Sequence, residues 1–342
     1  MAFQIIWFVL WGVLWAVYFM LDGFDFGAGM LYNFISADET EKRIVTHTIA
    51  PVWNGNEVWL ITAGGATFAA FPTTYALMFS YLYSALLLVL FSLIVRGVSL
   101  EFREKSDSPA WKKGWDIGIF LGSFLPALLF GVAFGNIFHG LPMDADGYHG
   151  SLLSLLNPYG LLTGALFVLL FLVHGAIYLA VKTSGGLAEK AAGLANKIWV
   201  VLLVVAVAFL AYTYFATNLY ANYFSTYVLL IVPVLAVLSL LAIRLFAAKG
   251  QYLKSFFASC LTIVMVTSTG VIGLYPNLIP SSLDPNHSLT IFNSSSSVYT
   301  LKIMTVVALI FVPIVIAYQI WTYRVFRQKT TPLDIAAEKE SY

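Results

Sequence analysis

The chain has 342 residues, of which 60% are hydrophobic and 10% charged, with a formal net charge of +1 and a mean hydropathy of +0.85. Water-soluble domains carry about 25% charged residues, so this composition excludes a soluble globular domain and places the chain in a bilayer. The near-zero net charge leaves no electrostatic footprint for nucleic acid, and the single cysteine, Cys260, excludes an internal disulfide and is expected to pack inertly.

In chain order, the N-terminus shows no basic n-region and no small-residue cleavage signal, so Ile5 onward reads as a retained span. Apolar spans of about 20 residues recur nine times, at roughly 5–34, 49–71, 75–95, 115–138, 159–181, 198–217, 227–246, 256–275 and 299–322. The expectation is an all-α integral membrane protein, one polytopic domain over 1–342 with nine transmembrane helices. Basic residues test the count. Lys42, Arg43, Arg96, Arg103, Lys182, Lys190, Arg244, Lys249, Arg324 and Lys339 are among the 17 of 18 Lys and Arg that fall in alternate loops or the tail. The intervening loops 72–74, 139–158, 218–226 and 276–298 carry none, and Lys302 can snorkel from the first turn of the ninth span. By the positive-inside rule the N-terminus is outside and the C-terminus cytoplasmic.

The first span holds Leu21-Asp22-Gly23-Phe24-Asp25-Phe26-Gly27-Ala28-Gly29 inside an otherwise uncharged run. On a helix, Asp22 and Asp25 project from nearly the same face. A carboxylate in hydrocarbon costs roughly 2.5–3.5 kcal/mol on insertion scales, so two together need partners, water or protons. Gly23 and Gly27 form a small-xxx-small pair that admits another helix, which could supply those partners.

The second span opens with Pro51-Val52-Trp53-Asn54-Gly55-Asn56-Glu57-Val58-Trp59. Starting near Ile49, it puts Glu57 roughly 12 Å inside the membrane, with Asp25 roughly 15 Å from the cytoplasmic end of its own helix. Arg96 is expected to close the third span on that side. Asp25, Asn54, Asn56, Glu57 and Arg96 could then cluster in the cytoplasmic half. Two readings stand: a relay for a proton or cation, or a structural salt bridge centred on Arg96. The stacking of Glu and Asp at similar depth favours the relay.

Later elements carry less chemistry. The outer loop 139–158 holds His139, Asp144, Asp146 and His149, read as a solvated surface with metal binding the remote option, and 276–298 reads as a polar connection. The pairs Gly118/Gly122, Gly131/Gly135 and Gly160/Gly164 suggest close helix packing. His174 is the one histidine squarely inside a span. It could ligate a single haem, but a hydrogen-bonded packing role is favoured, and no metal site is expected. No phosphate-cradling loop, nucleophile triad or CxxC motif is present, so no catalytic group is assigned to this chain.

Asp22-Gly23-Phe24-Asp25 with Gly27 and Gly29, then Ile49-Ala50-Pro51, Trp53, Gly55-Asn56 and Val58 to Ala66, resemble subunit II of the cytochrome bd quinol oxidases. Gly118-Ile119-Phe120, Gly122-Ser123-Phe124, Gly131 to Asn136, Leu156-Asn157-Pro158 and Pro280-Ser281-Ser282 extend the match. The resemblance implies two four-helix bundles, helices 1–4 and 5–8, plus one peripheral helix. It implies a heterodimer with a haem-carrying subunit I that holds haems b and d and oxidises quinol. No haem is then expected in this chain, although a small single-helix accessory subunit and a structural quinone are compatible with the family. Its proton pathway would draw on Asp25, Asp22, Glu57, Asn54, Trp53 and Arg96. One departure matters: many relatives have Asp where this chain has Asn54, while Glu57 occupies a position that is often an uncharged amide. Asn cannot titrate, so Glu57, one turn away, is the expected substitute. The rival class is a proton-coupled secondary transporter using Asp22, Asp25 and Glu57. Such transporters carry paired broken helices in two halves, and residues 180–342 hold no counterpart of the charged motifs.

Overall fold

The computed structural model describes residues 1–335; Lys339, counted above with the cytoplasmic tail, lies outside the described residues. Twelve α-helices follow in order: α1 Ala2–Ile35, α2 Glu39–Ile49, α3 Trp53–Ala70, α4 Pro72–Tyr81, α5 Tyr83–Phe102, α6 Pro109–His139, α7 Pro158–Lys182, α8 Gly185–Ala216, α9 Ala221–Ser225, α10 Ile231–Ala248, α11 Tyr252–Leu274 and α12 Val298–Val325. Among the described residues, eight helices are long and apolar enough to cross a membrane: α1, α5 (with Arg103–Lys105), α6, α7, α8, α10 (from Tyr227), α11 and α12. The chain is a multi-pass membrane protein. The second expected span, α3, is not among the eight, because its first five residues include Asn54, Asn56 and Glu57.

Boundaries differ from expectation where turn chemistry intervenes. Pro51 has no N–H to donate, so α2 stops at Ile49 and the chain turns before α3 begins at Trp53. Glu57 therefore sits four residues into its helix, roughly 6 Å, rather than eight. Asp38 caps α2 by accepting the Glu41 N–H at 2.8 Å. The third span starts at Tyr83 and runs to Phe102, so Arg96 does not close it but lies more than a turn inside. Loops 139–158 and 276–298 are not purely irregular: β1 Met143–Asp144 pairs antiparallel with β2 Gly147–Tyr148, and β3 Asn277–Ile279 with β4 Leu289–Thr290. Leu141 bridges Ser281, and Ser281 Oγ donates to the Met143 carbonyl, which joins the two loops.

Helix α1 packs against α3, α6, α7 and α11, and α5 lies on α6. Helices α8 and α11 flank α7, and α10 lies on α11. Helix α7 is the most enclosed apolar helix and α12, which touches α1 and α3, the least. Glycines set several close approaches between helices. A Cβ on Gly27 would come within 1.9 Å of the Phe171 carbonyl oxygen and 2.8 Å of Gly175 Cα, so α1 and α7 meet backbone to backbone. A Cβ on Gly122 would lie 2.7 Å from the backbone nitrogen of Arg96, so α6 presses on α5 at the height of that arginine. Gly131 and Gly164 face each other in the same manner. The helix that Gly23 and Gly27 admit is thus α7, whereas the polar partners of the aspartates come from α3 and α5.

Candidate functional site

Arg96, fully buried on α5, reaches across to both aspartates of α1. Its Nη2 lies 3.0 Å from Asp22 Oδ1 and 3.9 Å from Asp25 Oδ2, and its Nη1 lies 3.3 Å from Glu57 Oε1 on α3. The guanidinium carbon stands 4.5 Å over the ring of Phe26, which adds a cation–π contact. Both aspartates are 0% exposed, and Glu57 is about one-fifth exposed at its side chain. Four of the six pathway residues named from sequence therefore meet.

The other two do not. Asn54 is exposed and borders a groove between α3 and α12, facing away from the carboxylates. Being one residue from Trp53 and two from Asn56, it falls on the opposite side of the helix. Trp53 is buried, but its ring packs on Gly97 beside the arginine and makes no hydrogen bond to the acidic groups.

Asn56 joins the cluster to the last helix. Its Nδ2 donates to Asp25 Oδ2 at 2.7 Å and to the Leu21 carbonyl at 3.2 Å. Its Oδ1 accepts from Tyr323 Oη at 2.8 Å and from Gln319 Nε2 at 3.1 Å, both on α12. Gln319 Oε1 in turn accepts the Trp59 indole N–H at 2.7 Å. Two donors at Oδ1 fix the amide so that only N–H faces the carboxylate. Sequence reading missed Gln319 and Tyr323; a lone amide inside an apolar span was the available signal.

A second ionic group joins the C-terminal ends of α1 and α5 to α2 and the start of α6, and sequence reading did not single it out. Asp116 Oδ1 accepts from Tyr32 Oη at 2.8 Å and from Arg103 Nε at 2.6 Å, while Lys42 Nζ meets its Oδ2 at 2.5 Å. Arg103 Nη2 also pairs with Glu39 at 2.9 Å. Every acceptor has a cationic or hydroxyl donor, which makes this a structural clamp.

His174 has the packing role. Its Nδ1 lies 2.6 Å from Ser259 Oγ and its Nε2–H donates to the Met20 carbonyl at 2.9 Å, tying α7 to α11 and α1. Both ring nitrogens are engaged, which leaves neither for an axial iron bond. In loop 139–158, His149 Nε2 lies 2.8 Å from Asp144 Oδ1, and this hydrogen bond holds the Asp144 carboxyl below the usual range. Among the described residues no three His, Cys, Asp or Glu side chains gather as a metal site would require.

Residues 3–326 match the family described as cytochrome bd terminal oxidase subunit II. The chain is 38% identical over 327 residues to cytochrome bd ubiquinol oxidase subunit 2 of Bacillus subtilis (strain 168), covering 95% of this chain and 96% of that one. It is also 38% identical to cytochrome bd-I ubiquinol oxidase subunit 2 of Escherichia coli (strain K12), covering 99% and 98%. In fold it is similar to a chain of the bd oxidase from Geobacillus thermodenitrificans, with a TM-score of 0.80 at 18% identity, covering 95% of this chain and 99% of that one.

Proposed function

The chain belongs to the cytochrome bd terminal oxidase subunit II family, and we propose that it is the non-haem second subunit of a quinol:oxygen oxidoreductase of the bacterial respiratory chain. In this role it scaffolds a haem-carrying subunit I and passes cytoplasmic protons toward the site where oxygen is reduced to water. Haems b and d reside in the partner, which carries the redox chemistry.

The membrane arrangement in this reading has nine helices, with α3 as the second. The N-terminus is outside and the C-terminus cytoplasmic, which the alternation of basic loops supports. Helices α1, α3, α5 and α6 form one bundle, α7, α8, α10 and α11 the other, and α12 is peripheral. Docking of the partner is supported by Gly55, Gly64 and Gly65 of α3, where an added Cβ would meet nothing within 4 Å. Among the described residues no other helix packs closely on these positions. The apolar cavity lined by Phe134, Phe167, Leu202, Phe209, Leu240 and Val266 suits an isoprenoid tail, and a quinone held there would brace the second bundle.

The single observation that carries the proton role is the charge count around Arg96. One guanidinium faces Asp22, Asp25 and Glu57, so the fully ionised cluster has surplus negative charge in a low-dielectric interior. Protons restore the balance, and Glu57 provides the part-exposed member through which they enter. Glu57 thereby takes the role of the acidic residue absent at Asn54. Two measurements test the reading. The purified chain alone should show no haem absorbance and should co-purify with a haem-bearing polypeptide; stoichiometric haem in the isolated folded chain contradicts it. The variant Asp25→Asn should assemble with normal haem and lose quinol-oxidase turnover; full turnover removes the proton role.

A further inference from the structure

Buried polar atoms in folded chains almost always find a partner. Among the described residues nine side-chain nitrogen or oxygen atoms are buried without a hydrogen bond of good geometry, and five of these lie together: Trp15 Nε1, Tyr18 Oη, Asp22 Oδ2, Asp25 Oδ1 and Arg96 Nε, the Tyr18 hydroxyl facing the Asp22 carboxylate without meeting that geometry. The four α1 residues are spaced by three, four and three positions, which places them on one stripe of the helix. Their side chains are all more than nine-tenths buried: Trp15 is 7% exposed and the other three 0%. The remaining four orphaned atoms are scattered over Ser36, Arg43, Thr74 and Tyr148.

The neighbouring indoles show that the pattern belongs to the stripe and not to the helix as a whole. Trp7 Nε1 donates to the Leu301 carbonyl and Trp11 Nε1 to Thr67 Oγ1, each at 3.1 Å. The walls of the stripe are aromatic and apolar: the Tyr18 ring centroid lies 5.4 Å from those of both Phe19 and Phe130, and Trp15 5.2 Å from Phe134. Trp15 and Phe130 also line an apolar groove that opens between α3 and α5. From Asp25 to Trp15 the stripe climbs ten residues, about 15 Å, away from the cytoplasmic end of α1.

We propose that this stripe holds a short file of internal water molecules, and that the Tyr18 hydroxyl carries protons beyond the carboxylates along it. The proposal rests on the proton-handling role of the Arg96 cluster and extends it by one residue and a direction. Polar partners on several sides and apolar walls are what a buried water needs to stay ordered. Tyr18 is the only group on the stripe above Asp22 that can both accept and donate, because an indole N–H only donates. Its Oη takes a proton from the water on the Asp22 side and releases its own to the water on the Trp15 side. Rotation of the hydroxyl resets it, with no net change in atoms or charge. Trp15 orients the last water without passing a proton.

The test uses the assembled oxidase. Tyr18→Phe keeps the ring against Phe130 and Phe19 and removes only the hydroxyl. Turnover per haem should fall by about a hundredfold or more, the scale of a positioned proton-transfer group, and its solvent deuterium isotope effect should rise. Full turnover in Tyr18→Phe, with Asp25→Asn impaired, overturns the file while leaving the cluster's role intact. Full turnover in both variants removes the proton role itself. Where Tyr18→Phe does not assemble, a high-resolution structure of the unaltered complex decides. Water within hydrogen-bond distance of Tyr18 Oη and Asp22 Oδ2 supports the proposal, and a dry stripe overturns it.

Discussion

Arg96 and Asp22 are 74 residues apart in the chain, yet they meet at 3.0 Å with both side chains at 1% exposure or less. The contact exists because Gly122 lets α6 press α5 toward α1, which sets the height of the arginine. Removing one partner of a buried ion pair costs about 3–5 kcal/mol, because the other charge stays desolvated. Arg96 is therefore a poor place to probe proton movement: Arg96→Ala would disturb assembly first. Variants that keep shape and hydrogen bonding while abolishing titration are the useful ones.

Glu57→Gln is such a variant. Its oxygen still faces Arg96 Nη1, 3.3 Å away in the native chain, but the group no longer binds or releases a proton. Turnover should fall with normal haem content. The double variant Asp25→Asn/Glu57→Gln should be less than additive, because residues on one path show coupling. A fully additive double variant would place the two carboxylates on separate routes.

Asp116 should behave in the opposite manner. It clamps Tyr32, Lys42 and Arg103 at the helix ends. Asp116→Ala should lower stability by about 3 kcal/mol, the lower end of the cost of breaking a buried ion pair, since Arg103 keeps Glu39, while turnover per assembled haem stays near native. Thermal unfolding of the purified complex and its specific activity read the two effects separately.

The glycines divide into those used within the chain and those left open. Gly27→Ala drives a Cβ into the Phe171 carbonyl and should abolish the folded chain. Gly64→Ala meets nothing within 4 Å, so the chain alone should fold normally. If α3 seats the partner, haem-bearing polypeptide should co-purify less with Gly64→Ala. Equal recovery would move the partner to another face.

Orientation rests on the distribution of Lys and Arg between alternate loops. Single cysteines in loop 104–108 or early α6 should react with membrane-impermeant reagents only in inside-out vesicles. Labelling of that segment in intact cells would reverse the topology and the direction assigned to proton entry.

The membrane helices were legible because hydrocarbon imposes long apolar runs, and the Asp22, Asp25, Glu57 and Arg96 group was legible because charge in such runs is rare. What remained hidden depended on contacts between distant segments. Asn54 looked equivalent to Asn56 in the motif, but helical rotation sends one outward and the other to Asp25. Gln319 and Tyr323 looked like ordinary members of the last span, and only the approach of α12 to α3 gives them Asn56 as an acceptor. Depth was misjudged where a single Pro51 delayed the start of α3. The Asp116 clamp was invisible because its members lie at four separate helix ends.

The central claim is that the carboxylates around Arg96 carry protons from the cytoplasmic side. Time-resolved proton uptake by the assembled oxidase in oriented vesicles tests it most directly, with Asp25→Asn compared against the unaltered chain at matched haem content. Uptake from the cytoplasmic face should slow by about a hundredfold or more, the scale of a positioned proton-transfer group, and oxygen reduction should slow with it. Unchanged uptake and turnover in Asp25→Asn would contradict the account, reduce Asp25 to the hydrogen-bond acceptor of Asn56, and assign proton delivery to the partner subunit.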